Sequence, residues 1–178
     1  IGKWHAKMQH DTGKMEVVAL CDANPDLRAW ATKDFPAATF YTDYREMFRQ
    51  AALDLVAVVT PHDLHAPVTI KALDTGINVV TEKPMATTFT DAQAMVAAAK
   101  RNKRFVSVFH NRRLDPWFLA AKAALDEGLL GRLIEINIGI NYGPGPQTWR
   151  GFKKPSGGLQ FDWGAHLVDY ALNFHPGP

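Results

Sequence analysis

The chain has 178 residues, 47% of them hydrophobic and 21% charged, with a formal net charge of +2, an ordinary globular composition rather than a disordered or fibrous one. No run of about 18 apolar residues occurs, which excludes a membrane-spanning helix, and Lys and Arg are scattered rather than blocked, which argues against nucleic-acid or anionic-membrane partners. Cys21 is the single cysteine, so an intrachain disulfide and a cysteine-rich metal site are excluded, as fits a reducing, cytoplasmic setting.

Ile1-Gly2 leads directly into a helical stretch. The first residue is Ile and the last are His175-Pro176-Gly177-Pro178, so both ends read as cuts in something longer, and no signal peptide is visible. Residues 16–21 are a short apolar run ending at Asp22. Pro25 opens a predicted helix over 25–35, and Asp43 caps another over 43–50. Residues 54–59 are apolar after the first, as in a buried strand, and Thr60-Pro61 ends it. A helix over about 63–75 follows, stopped by Gly76. Residues 78–81 form the next strand, before Glu82-Lys83-Pro84. A helix over 90–103, a strand over 105–109 and a helix over 116–127, stopped by Gly128, come next. Residues 133–142 alternate apolar and polar, as a half-exposed strand does. A Gly- and Pro-rich stretch over 143–158 reads as a long loop, and 162–173 as a final helix. Strands alternating with helices predict βαβ units and a parallel sheet. The change in character after 114–132 divides the chain into 1–113 and 114–178.

Open parallel sheets bind ligands beyond the carboxyl ends of their strands. Gly2 stands where a glycine turn meets a helix N-terminus, the place that holds a pyrophosphate. Asp22 lies 20 residues later at a strand end, the spacing of an acid that accepts from ribose hydroxyls. The bland alternative is a packing Gly and a capping Asp. A carboxylate there repels a 2′-phosphate, and Ala23 follows it, so the residues favour NAD over NADP; Arg28, a turn further on, is the one group placed to bend toward a phosphate. In the Thr60-Pro61-His62-Asp63-Leu64-His65 loop either imidazole is placed to touch a ligand, or His65 caps or packs at the helix start. Lys83 faces the nicotinamide end of a bound cofactor, its backbone held extended by Pro84, or is a surface lysine in a local ion pair. Asp162 and His166, at i and i+4, share one side of a helix, which suits an acid orienting a general base; Asp162 as a plain helix cap is the alternative. A metal site at this pair lacks third and fourth ligands. Asp169 reads as a local brace.

Together these residues resemble the Gfo/Idh/MocA oxidoreductases. The resemblance rests on Ile1-Gly2 before a helix, Asp22, Thr60-Pro61 with His65, and Glu82-Lys83-Pro84. It continues through Asn111-Arg112-Arg113-Leu114-Asp115-Pro116, Gly128-Leu129-Leu130-Gly131, Trp149-Arg150, and Gly157-Gly158 before Asp162, His166 and Asp169. It implies an α/β fold: a Rossmann-type parallel-sheet domain, here without its first strand, and the start of an α/β domain with a mostly antiparallel sheet. It implies hydride transfer between NAD(P) and a hydroxyl carbon of a sugar, inositol or related polyol, in a homo-oligomer. By resemblance His166 is the general acid–base, Lys83 assists, and Asp162 contacts or orients substrate. Cofactor contacts are implied at Gly2, Asp22, Thr60, Pro61, His65, Glu82, Lys83, Arg112, Trp149 and Arg150. Two other readings of the same residues are a non-catalytic NAD-binding regulator, and an enzyme that keeps NAD bound for sugar–sugar hydride exchange or redox-assisted glycoside cleavage.

Overall fold

Five short strands, every ladder parallel, alternate with helices in the computed structural model, which describes residues 1–141 and 148–175. Helix α1 (Gly2–Asp11) precedes β1 (Ala19–Cys21), α2 (Leu27–Asp34), β2 (Thr39–Tyr41) and α3 (Tyr44–Gln50). Then come β3 (Leu55–Val58), a 3-10 turn at His62–Leu64, α4 (His65–Asp74), β4 (Asn78–Glu82), α5 (Phe89–Asn102) and β5 (Val106–Phe109). Strands β1 and β2 pair with each other, and β3, β4 and β5 form a second sheet in that order.

The core explains why the runs over 54–59 and 78–81 are apolar. Val56, Val58 and Val79 are buried, and α4 lays Val68, Ala72 and Leu73 against them, with Ala98 and Ala99 from α5. Met47 and Phe48 from α3 join the same cluster, and Ala19 and Cys21 of β1 pack on its margin. Helix ends follow local chemistry. The Asp43 side chain accepts the Arg45 N–H at the start of α3, and Thr88 accepts the Asp91 N–H at the start of α5, each satisfying a donor the helix itself leaves open. Gly76, at φ +84°, carries the chain out of α4 in a conformation that costs glycine little.

Helix α6 (Pro116–Asp126) begins on its proline. After it the expectation of a strand over 133–142 is corrected for its described part: residues 133–141 are not a strand. A strand is stable only beside another, and among the described residues none pairs with this segment. Its alternation survives in the packing, with Ile136, Ile138 and Ile140 half-buried and Asn137, Gly139 and Asn141 exposed. Tyr142 and 143–147 of the expected loop lie outside the described residues. A 3-10 turn at Trp149–Gly151 and a single helical turn, α7 (Lys153–Ser156), lead to a π-helical turn at Gln160–Gly164. Helix α8 (Ala165–Phe174) continues from it and packs on α6 through Tyr170 and Phe118.

Candidate active site

Parallel pairing gathers the carboxyl ends of β3, β4 and β5 at one edge. Val58 stands beside Thr81 and Glu82 beside Phe109. Thr60, Lys83 and His110, each just past its strand, therefore line the same rim.

Lys83 is central. Its ammonium donates to Asp162 O at 2.6 Å and to Asp162 Oδ1 at 2.7 Å, with the two side chains only 11% and 8% exposed. Arg150 Nε lies 3.4 Å from the same carboxylate oxygen, while its guanidinium stacks on Trp149. Positions 83, 150 and 162 thus meet in one buried charge cluster. Glu82 braces it from below: Oε2 accepts the Lys83 N–H at 3.1 Å and Oε1 accepts from His5 Nε2 of α1 at 2.7 Å. Burial pushes the Glu82 carboxyl up, but the hydrogen bond and charge of His5 and the Lys83 N–H outweigh it and leave the group below its ordinary value.

His166 is buried one turn beyond Asp162. Its ring stands edge-on to His110 and inclined to Trp163. Burial, then the charges of Lys83 and Arg112 and the nearby His110, push its pKa down to about 4, so at neutral pH it carries an open lone pair. The expectation that Asp162 orients His166 is corrected. The Asp162 carboxylate turns to Lys83 and Arg150 instead, because two cations within reach outbid a neutral ring. Asp169 takes two hydrogen bonds from Arg113 and faces His110 Nδ1 at 3.8 Å; the expectation of a local brace is corrected, because its side chain ties α8 to the turn after β5, 56 residues away.

His65 does not face a ligand, contrary to the expectation for it. It is 0% exposed, with Nδ1 2.7 Å from Pro84 O and Nε2 3.1 Å from Thr60 O. Burial lowers its pKa, so the neutral ring donates through one nitrogen at a time, to Pro84 O or to Thr60 O, wedged between the Thr60-Pro61 and Lys83-Pro84 turns. His62 is also withdrawn: its Nδ1 donates to Ser156 O at 2.7 Å. Arg112 is committed to Asp115, at 3.0 Å, and to the face of Trp163, on the wall of a cleft of about 600 Å³ between α6, α8 and residues 133–140. Sequence reasoning passed over His5, His110 and Ser156. Their partners lie 59 to 94 residues away or are backbone atoms, and neither leaves a local pattern; the nearest signal is the place of His110 directly after an apolar run.

The two-stranded β1–β2 sheet offers a different set of groups. Asp22 is exposed just past β1, and its Oδ1 accepts the Asn24 N–H at 2.9 Å; a carboxylate has room for further donors. Helix α1 has no side-chain cap at Ile1, and a helix start carries N–H groups suited to an anion; a Cβ on Gly2 would meet nothing within 4 Å. An acid for ribose hydroxyls and an uncapped helix start for phosphates fit a dinucleotide laid along this edge. Arg28 stacks on Phe40 of β2. Among the described residues no group of three or more His, Cys, Asp or Glu is arranged to hold a metal ion, and no helix is long and apolar enough to cross a membrane.

Known proteins place this arrangement. Residues 1–110 match the model of an oxidoreductase family with an NAD-binding Rossmann fold, and residues 118–178 that of the GFO/IDH/MocA C-terminal domain. The chain is 34% identical over 143 residues to the scyllo-inositol 2-dehydrogenase (NADP(+)) IolW of Bacillus subtilis, covering 79% of this chain and 40% of that protein. It is 30% identical over 158 residues to the levoglucosan dehydrogenase of Pseudarthrobacter phenanthrenivorans, covering 85% of this chain and 40% of that one. The crystal structure of the WlbA dehydrogenase from Chromobacterium violaceum, in complex with NADH and UDP-GlcNAcA, superposes with a TM-score of 0.87 at 28% identity, covering 99% of this chain and 52% of that one. The chain spans about two fifths of the length of the curated relatives it matches. It belongs to the Gfo/Idh/MocA oxidoreductase family.

Proposed function

We propose that the protein is an NAD-dependent dehydrogenase that oxidises a hydroxyl carbon of a cyclic polyol or sugar, with the reverse reduction equally available. The observation that carries this reading is the meeting of Lys83, Asp162 and a neutral His166 at the strand-end rim. NAD⁺, when bound, supplies the hydride acceptor. Asp22 accepts from the adenosine ribose and the start of α1 faces the phosphates. Lys83 has three N–H bonds; two are directed at Asp162, and the third is left for the substrate oxygen, where positive charge in a partly dry site stabilises a developing alkoxide. The His166 imidazole accepts the hydroxyl proton. Asp162 holds the ammonium in place, so it acts on the substrate through Lys83. Residues 114–178 are read as the start of the substrate-binding and assembly domain of a homo-oligomer. The names of the relatives, an inositol, an anhydrosugar and a nucleotide sugar, all describe ring compounds rich in hydroxyls, and support the substrate class. Asp22 followed by Ala23 supports NAD, in a cytoplasmic setting.

The test is a panel of inositols and aldoses with NAD⁺ and NADP⁺, following reduced cofactor by absorbance. Turnover of at least one ring polyol, faster with NAD⁺, is expected. Tight NAD binding with no turnover of any of them would overturn the dehydrogenase reading in favour of a regulator.

A further inference from the structure

The segment 148–158 carries Trp149 and Arg150 and leads into Asp162, yet it is joined to the sheet by few groups. One is buried and specific. His62, 2% exposed, sets Nδ1 2.7 Å from Ser156 O across 94 residues of sequence. A carbonyl only accepts, so the proton sits on Nδ1. Ser156 is itself 0% exposed. Its hydroxyl lies 2.8 Å from Phe152 O and 3.0 Å from Arg150 O, giving its one proton to either, and accepts the Gly158 N–H at 2.8 Å. The His62 ring also meets Trp149 edge-on, at 4.8 Å between centroids and 89° between planes. One imidazole therefore touches both ends of the segment, and Ser156 passes its anchorage to the Arg150 backbone. Arg150 in turn reaches the Asp162 carboxylate that holds Lys83.

We infer that His62 is a positioning residue that docks segment 148–158 on the carboxyl edge of the sheet and thereby sets Arg150 and Asp162 against Lys83. It makes this contact through Nδ1–H alone. The claim about docking stands on geometry; its consequence for turnover rests on the dehydrogenase reading above.

Two substitutions of similar size separate this role from space-filling. Asn places its amide nitrogen where Nδ1 stands, whereas Gln places it near Nε2. In the full-length protein, His62→Asn should keep the protection of residues 149–158 against amide exchange, and tryptic cleavage after Arg150 and Lys153 should stay slow. His62→Gln should lose that protection and be cut faster, while exchange in β3, β4 and α5 is unchanged. In steady state with a substrate found in the polyol panel, Gln should lower kcat on the order of 10²-fold, the usual cost of an ångström of misplacement, with Asn within a few-fold of wild type. Affinity for ADP-ribose, which lacks the nicotinamide, should be the same in all three. Equal exchange and equal kcat in Asn and Gln would overturn the proposal, as would an Asn variant that fails to fold or to retain docking. If the wild type turns over no polyol, the dehydrogenase reading fails, and the exchange and proteolysis comparison still decides the docking.

Discussion

At the scale of single residues, the proposed base, His166, is neutral because it is buried. On the dehydrogenase reading, replacing His166 with Ala should lower polyol turnover roughly 10²–10⁴-fold, the usual worth of a positioned general base, while leaving NAD affinity intact, since the proposed adenosine contacts at Gly2 and Asp22 do not include it. The wild-type pH profile carries a second signature. Oxidation needs the unprotonated ring, and burial together with the charges of Lys83 and Arg112 depresses its pKa to about 4. The acid limb of kcat/KM should therefore fall well below the ordinary imidazole value of 6.5; a limb at 6.5 would show that another group, or an exposed His166, is the base. For cofactor choice, Asp22→Ser would remove the ribose acceptor and the 2′-phosphate-repelling charge that the NAD reading places there. It should narrow the preference for NAD⁺ over NADP⁺ in kcat/KM, and a wild type that already prefers NADP⁺ would overturn the assignment.

At the scale of elements, what is legible depends on how far a residue's partner lies. Strand β3 is plain in the sequence because every position is apolar, and β4 because its Val79-Val80 pair sits between turn residues. The helix starts at Asp43 and Thr88 are written in their own first turns. Strand β2, three residues at Thr39–Tyr41, is not legible because, unlike β1, it is not part of a longer apolar run and is too short to show a period of its own. The alternation over 133–141 is a real pattern of burial but not a strand, since a strand also needs a neighbour. In the site, the resemblance marked Lys83, Asp162 and His166, but could not say that Asp162 serves the lysine rather than the histidine. That choice is made by Arg150 and Lys83 converging from separate segments. Nor could it say that His65 is sealed between two carbonyls. The approach to Asp162 is also tightly specified. Gly157 has φ +79°, and a Cβ there would lie 2.5 Å from the Phe161 ring and 3.2 Å from its Cβ. Gly157→Ala should therefore destabilise the protein by more than the roughly 1 kcal/mol of an ordinary glycine replacement at positive φ, and should displace Phe161, as thermal melts and a crystal structure of the variant would show.

At the scale of the whole molecule, four histidines are held with depressed pKa values, in each case chiefly by burial: His62, His65, His110 and His166. Each takes up a proton more readily when unfolded, so the unfolded chain binds more protons between the folded and unfolded values and stability rises with pH there. Stability should be full above about pH 6.5 and decline as pH falls toward 4; His166 alone accounts for on the order of 2 kcal/mol by pH 5. Melting temperatures from pH 7.5 to 5 should fall steadily, and a flat profile would sink this account.

The span of the contacts that build the site has a bearing on time as well as place. Lys83 and Asp162 are 79 residues apart, His62 and Ser156 are 94, and His5 and Glu82 are 77, whereas the pairing of β3 with β4 and of β4 with β5 links neighbours about 25 residues apart. Closing long loops costs entropy before any contact rewards it, so the local βα units form first and the rim is completed last. Run backward, the same order makes the charge cluster around Lys83 the first structure to open. A chain treated with mild denaturant should lose its competence for chemistry while its sheets still stand.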